Sequence, residues 1–177
     1  KHLLTIILFL SFCSSIFAQN NWVYSTVNGH RYMSTPTTMS WPDASTLADS
    51  MGPDVQLVTV RTSTENDWLY TTFIYPHTDL AHQFWIGYTD QTVEGTWVWA
   101  SGESSSYTNW SSGNPDNGSG GQDWATIGGS YGEEWDDAGQ ASGLFKAILE
   151  TAAPLTFYVD GAGNGDYLDI QSAIDNS

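Results

Sequence analysis

The chain of 177 residues has one cysteine, Cys13, and four Lys plus Arg against twenty Asp plus Glu. A lone thiol leaves no disulfide within the chain and no thiol chemistry, and His30, His77 and His82 lack the spacing of a zinc site or a Ser-His-Asp arrangement. The formal charge of −16 repels phosphate backbones and anionic membranes, and no basic patch offsets it, which excludes nucleic acid as a partner. Long apolar runs are also missing. The apolar run from Leu3 to Leu10, broken only by Thr5, is too short to span a bilayer, so membrane insertion is not expected.

That run sits in "KHLLTIILFLSFCSSIFAQN", where a basic start and a small-residue end at Ala18 give the layout of a secretory signal peptide, residues 1–18, cleaved before Gln19. Phe12 before Cys13 fits a lipoprotein signal poorly, so the expected mature chain has no cysteine. The absence of an initiator Met points to a missing start. A secreted, extracellular domain without disulfides must hold itself together by packing or by metal.

What the chain does have is 40% apolar residues, 14% aromatics and nine Trp, enough for one compact, aromatic-rich core with tails. The acidic balance suits cation binding or plain solubility. "NNWVYSTVNGHRYMSTP" predicts two strands around a turn at Asn28-Gly29. In "SWPDASTLADSMG", Ser40 caps, Pro42 suits a first turn, and Ala44, Leu47, Ala48 and Met51 form the apolar stripe of a helix ended by Gly52. "QLVTV" alternates as a strand does, and Thr62 and Glu65 have capping-box spacing ahead of a second helix with Trp68, Leu69, Thr72 and Phe73 on one face. From residue 84 the pattern becomes short β-like runs, "FWIGY", "TWVWA", "WATIG" and "LFKAILE", separated by polar, glycine-rich stretches.

The longest such stretch, residues 109–137, packs Asp116, Asp123, Glu133, Glu134, Asp136 and Asp137 among glycines, serines and amides. A loop of that length is either functional or disordered, and Trp110 and Trp124 favour a functional one pinned to the core at both ends. After Glu150, "TAAP" marks a linker, residues 151–156. Residues 157–177 begin a strand, a glycine turn and a helix.

Taken in order, "SWPDASTLA", "LVTVRTSTEND", "FWIGYTD", "GNPDN", "EEWDD" and a terminal "ILE" resemble a C-type lectin-like domain over about residues 22–150, within a domain of residues 19–150. Trp85-Ile86-Gly87-Tyr88, Asn114-Pro115-Asp116 and Trp135-Asp136-Asp137 stand where that family has its Trp-Ile-Gly, Glu-Pro-Asn or Gln-Pro-Asp, and Trp-Asn-Asp motifs. The resemblance implies an α+β fold, with two helices packed on small antiparallel sheets and a long calcium-binding loop. The family's two usual disulfides would fall near Ala48 with Leu149 and near Trp124 with Gln140; the chain is similar to the cysteine-free bacterial type, in which packing replaces them. The tail "YVDGAGNGDYLDIQSAID" is similar to the start of a right-handed parallel β-helix of the pectate-lyase kind, which would make this chain the front of a longer protein.

The loop offers oxygens and neither thiol nor imidazole, a donor set suited to calcium. The resemblance assigns one calcium to Asn114, Asp116, Gln122, Asp136 and Asp137, with three negative charges in total, as in the mannose-type family pattern. It assigns a second, auxiliary one to Asp90, Glu94, Asn117 and Asp123, provided that "TDQTVEG" folds back on the loop; the alternative is a solvated acidic turn. A cis bond before Pro115 would turn both neighbouring side-chain oxygens to the same ion. Carbohydrate would complete the calcium shell with two hydroxyls, contacted by Asn114, Asp116, Gln122 and Asp136, with Tyr131 stacking on the sugar. Acid and amide are exchanged at two places relative to the family, which leaves the sugar unnamed.

The implied function is a calcium-dependent carbohydrate-binding module of a secreted protein. The alternatives are a protein-interaction or adhesion domain with structural calcium, or the targeting module of a polysaccharide-active β-helix enzyme. Glu133, Glu134, Asp136 and Asp137 could also be drafted as glycosidase acids, but acids this close in sequence are more often ligands or a solvated face, so no enzymatic activity is expected of this fragment. That of the full-length parent is open.

Overall fold

The computed structural model describes residues 22–77, 82–118, 121–139 and 144–152. The leader, its cleavage point, Gln140 and the β-helix-like tail lie outside them.

Strands β1 (Val23–Tyr24) and β2 (Arg31–Ser34) form the expected hairpin, with Gly29 at φ +79° in its turn. Helix α1 (Trp41–Met51) starts where Ser40 accepts a bond from the Asp43 N–H and stops at Gly52. It lays Trp41, Ala44 and Ala48 on the sheet. Strand β3 (Val55–Leu57) leads to helix α2 (Ser63–Leu69), capped by the Thr62 hydroxyl, which accepts from the Glu65 N–H, and extended by a π-helical turn, Tyr70–Ile74. Then come β4 (Gln83–Thr89), buried along its whole length, β5 (Val98–Trp99), β6 (Trp124–Gly128), β7 (Trp135–Ala138) and β8 (Lys146–Thr151).

The strands join in the order β1-β2-β8-β4-β6-β7, with β3 also on β8 and β5 also on β4. The fold is α+β as expected, but the sheet is mixed rather than a set of small antiparallel ones. β4 and β8 run parallel, so the last strand closes the domain between its first and second halves. β7 was not expected as a strand. Its alternation is hidden by two acids, yet it pairs with β6 in full register, Trp124 opposite Ala138 and Ile127 opposite Trp135.

Two apolar clusters fill the interior. One gathers Tyr32, Ile86, Tyr88, Trp99, Ile127, Trp135 and Ile148, with Trp97 and Trp110 packed against it. The other joins α1 to the sheet through Trp41, Ala48, Trp85, Trp124, Ala138, Phe145 and Leu149. Trp41 stacks on Trp124 at 6.1 Å, and Trp85 meets Phe145 edge to face at 4.8 Å.

A polar seam ties α2 to the closing strand. Glu65 is buried, and instead of bonding back to its own cap it accepts from the Arg61 N–H (2.8 Å), Arg61 Nη1 (3.0 Å), the Tyr32 hydroxyl (2.6 Å) and Asn28 Nδ2 (3.1 Å). Glu150, also buried, accepts from both Arg61 Nη atoms at 3.0 Å, from the Thr59 N–H at 2.8 Å and from Gln56 Nε2 at 3.0 Å, and lies 3.1 Å from His30 Nδ1. Burial pushes the Glu150 carboxyl up, but His30, Arg61 and the Thr59 N–H outweigh it and hold the group below its ordinary value of 4.5.

Arg61→Ala leaves two buried carboxylates without their cation, and at pH 7 it should lower the unfolding free energy in urea by about 3 kcal/mol. Because the folded-state pKa of Glu150 is depressed, the stability it contributes is present above pH 4.5 and is lost as pH falls through the lower folded value. The gap between wild type and Arg61→Ala is therefore expected to narrow in acid; a constant gap would show that the pairing is not what stabilises.

Candidate functional site

The 111–123 loop leaves and re-enters the core at fixed points. Trp110 bridges Trp135, with the Ser111 N–H donating to the Trp135 carbonyl (2.9 Å) and the Trp135 N–H donating to the Asn109 carbonyl (2.8 Å). At the other end Trp124 opens β6. Both indoles are thus the anchors expected of them.

Between the anchors the chain turns on Gly113 (φ +99°) and a cis Asn114-Pro115 bond, the isomer expected from the resemblance. Asp137, fully buried on β7, holds the far side of this turn. Its Oδ1 accepts from the Asp116 N–H (3.0 Å) and its Oδ2 from the Asn117 N–H (2.7 Å). Asn117, at φ +48°, closes the next turn by accepting from the N–H groups of Gly121 (2.7 Å) and Gln122 (3.1 Å). Gln122 Nε2 then donates to the Asp137 carbonyl at 2.6 Å. β7 can come this close because residue 139 is glycine: a Cβ there would sit 2.2 Å from the Gly121 carbonyl oxygen.

The structure therefore brings Asn114, Asp116, Gln122, Asp136 and Asp137 together. Asn114 Nδ2 donates to Asp136 Oδ1 at 2.5 Å and to Ser111 Oγ at 2.8 Å. Asp116 Oδ1, which accepts from the Gly118 N–H (2.8 Å), and Gln122 Oε1 both lie against Gly118. Gln122 Oε1 is buried and has no hydrogen-bond partner. The Asp136 carboxyl is pushed up to about 6, by burial first and then by the charges of Asp137 and Asp116.

These features decide whether a calcium ion fits. Among the described residues no group of three or more acid, imidazole or thiol side chains is arranged as a metal cage. What the loop gathers is a mixed set of carboxylate and amide oxygens, with three negative charges and no Lys or Arg anywhere between Arg61 and Lys146. An orphaned acceptor beside a carboxylate, and a neighbouring acid that ionises reluctantly, are what a hard divalent cation relieves. In donor type and charge the set suits such an ion.

The auxiliary set is brought together in part. The 90–96 turn does fold back: the Asp90 N–H and the Thr89 hydroxyl donate to the Asp123 carbonyl at 3.2 and 2.7 Å. Asp90 is 3% exposed; its Oδ2 accepts from the Gly95 N–H at 2.8 Å while its buried Oδ1 has no partner. Glu94 is exposed, and the Asn117 oxygen is occupied by backbone N–H groups. Tyr131 is 39% exposed on the 3-10 turn Gly129–Tyr131 ahead of β7. Glu133 and Glu134, drafted as acids, are exposed.

Sequence reasoning missed the supports. Ser111 takes an Asn114 proton, Gln83 Nε2 donates to Thr126 Oγ1 (2.7 Å), and Thr126 Oγ1 donates to the Asp136 carbonyl (3.1 Å). Asn66 on α2, fully buried, accepts from the Trp135 indole at 2.8 Å and donates to the Glu133 carbonyl at 3.0 Å. No periodicity or motif marks these residues; only their contacts do.

Comparison with known proteins bears on the whole assembly. A family model described as the lectin C-type domain matches residues 37–141. Lectin BRA-3 of Megabalanus rosa is 28% identical over 114 residues, 64% of this chain and 67% of that protein. An alpha-N-acetylgalactosamine-specific lectin of Patiria pectinifera is 27% identical over 96 residues, 54% of this chain and 57% of its own length, so the matches span between about half and two thirds of these relatives. The crystal structure of the C-type lectin CEL-I from Cucumaria echinata superimposes with a TM-score of 0.66 at 25% identity, covering 75% of this chain and 96% of that one. With its loop, its two helices and its closing strand in this arrangement, the chain belongs to the lectin C-type domain family.

Proposed function

We propose that this domain binds carbohydrate through a calcium ion held by the 111–123 loop and β7. The observation that carries the reading is the unpartnered, buried Gln122 Oε1 beside Asp116, opposite an Asp136 carboxyl crowded by two other acids. Asn114, Asp116, Gln122 and Asp136 would supply side-chain oxygens. Asp137 would serve mainly to fix the loop, since both its carboxylate oxygens already accept N–H bonds, although each keeps a lone pair. The bound ion would supply a Lewis-acidic point to which sugar hydroxyl oxygens coordinate. Asp90, with its own orphaned oxygen beside Asp123, would anchor a second ion. Tyr131, exposed ahead of β7, would stack on the sugar.

Relatives named as lectins, one for N-acetylgalactosamine, support carbohydrate as the ligand class. Secretion under the 1–18 leader, and service as the targeting module of a polysaccharide-active domain beginning near residue 157, are proposals that rest on the sequence alone.

Binding on a glycan array is expected with calcium and not after chelation. Tight calcium binding with no glycan signal would instead favour protein recognition. The two adjacent acids should separate in calorimetry and thermal melts. Asp136→Asn keeps an oxygen for Asn114 and removes only charge, so it should weaken calcium roughly tenfold while leaving the calcium-free melt unchanged or higher. Asp137→Asn removes an acceptor from a backbone N–H and should weaken calcium and lower the calcium-free melt together. Unaltered affinity in both variants would place the ion elsewhere.

A further inference from the structure

Asn117-Gly118 is an Asn-Gly pair, in which the backbone nitrogen after the asparagine is least shielded from the side-chain amide, because glycine brings no Cβ. The fold sets further groups around it. The Gly118 N–H donates to Asp116 Oδ1 at 2.8 Å, so a carboxylate stands beside that nitrogen. Asn117 Oδ1 accepts from the backbone N–H groups of Gly121 (2.7 Å) and Gln122 (3.1 Å), an arrangement that stabilises negative charge developing on the oxygen. A second pair, Asn28-Gly29 in the hairpin turn, is held differently. There the Gly29 N–H donates to the Ser25 carbonyl at 2.9 Å rather than to a carboxylate, and Asn28 Nδ2 is held by the Tyr32 hydroxyl (2.7 Å) and Glu65 Oε1 (3.1 Å). A third, Asn164-Gly165, lies outside the described residues.

We propose that Asn117 is a self-modification site, at which the folded loop promotes loss of the side-chain amide nitrogen as ammonia. The Gly118 nitrogen forms a bond to Asn117 Cγ while Asp116 Oδ1 takes its proton, as a positioned general base does. The Gly121 and Gln122 N–H groups hold the negative oxygen of the tetrahedral intermediate. The Cγ–Nδ2 bond then breaks, and the nitrogen leaves as ammonia with the proton that Asp116 returns. The product is a cyclic imide spanning residues 117 and 118. Water, the co-reactant, opens it at either carbonyl and gives aspartate, or isoaspartate with one more methylene in the backbone. Either product adds a negative charge beside Asp137, whose Oδ2 accepts from the Asn117 N–H. Isoaspartate also lengthens the turn that carries Gln122.

The test is peptide mass mapping of the full chain, kept in neutral buffer with a chelator, with and without denaturing urea. An Asn-Gly pair reacts slowly in any unfolded chain, so the urea sample gives the rate that the sequence alone sets. Asn117 is expected to deamidate at least about tenfold faster in the folded chain than in urea, and Asn28 more slowly folded than in urea. A folded-state rate at Asn117 equal to or below the rate in urea overturns the inference. Isoaspartate alongside aspartate at position 117 marks the cyclic imide, whereas aspartate alone would show direct hydrolysis and overturn the route. Asp116→Ala should bring the folded rate at Asn117 down to about that in urea, with the slow Asn28 reporting that the variant is folded. A rate that stays fast in that variant overturns the role of Asp116 as base. The wild-type comparison decides the inference by itself if Asp116→Ala does not fold.

Discussion

Everything at the site depends on how Trp135 is held. Its side chain is fully buried among Tyr88, Trp99, Tyr107 and Trp110, its indole N–H reaches Asn66 on α2, and its backbone is bonded on both sides to Asn109 and Ser111. One residue thus fastens a helix, an edge strand and the mouth of the loop. The alternation of a strand then does the rest: with Trp135 inward, Asp136 is half-buried beside Asn114, and Asp137 lies buried under the loop it braces. Moving Trp135 would move both acids.

The protein buries carboxylates in two ways. Glu65 and Glu150 share Arg61, one of the four basic side chains, and enough N–H donors to hold the Glu150 carboxyl below its ordinary value. Asp137 has no cation and uses two backbone N–H groups instead. Asp136 has neither in sufficient measure. Burial and its two acidic neighbours raise its pKa to about 6, and this imbalance sits where the loop also leaves an amide oxygen unpartnered. The Arg61 seam is neutralised from within; the Asp136 group has no basic side chain in its stretch of the chain.

That contrast explains what could be read in advance. Caps, stripes and turn glycines are local signals, so α1, the β1-β2 turn and the start of α2 were legible in Ser40, Gly52, Gly29 and Thr62. That Asn114, Asp116, Gln122, Asp136 and Asp137 gather at one loop was legible because they cluster within 24 residues around a proline and a Trp. β7 was not, since the acids that make it interesting erase its apolar alternation. Glu65 was legible as a capping residue but not as part of a buried seam, because its partners Asn28 and Tyr32 lie 37 and 33 residues away. A still longer separation hid Asn66, whose partner Trp135 is 69 residues on.

The missing crosslinks are answered by packing at two places the sequence comparison singled out. Ala48 and Leu149 meet inside one apolar cluster, where a small residue on α1 lets the helix approach the closing strand. Trp124 stacks on Trp41, meets Trp85 edge to face and stands opposite Ala138, filling with an indole the space at that end of the loop. A disulfide typically contributes about 2 to 4 kcal/mol. Truncating a buried Trp costs about 3 to 5, so the exchange is of comparable size. The difference is where the stabilisation acts. A crosslink limits the unfolded chain, whereas Trp124 stabilises only the folded one, and it does so at the residue that follows Asp123 and closes the loop. The loop and the core are therefore joined at Trp124 on one side and Trp135 on the other.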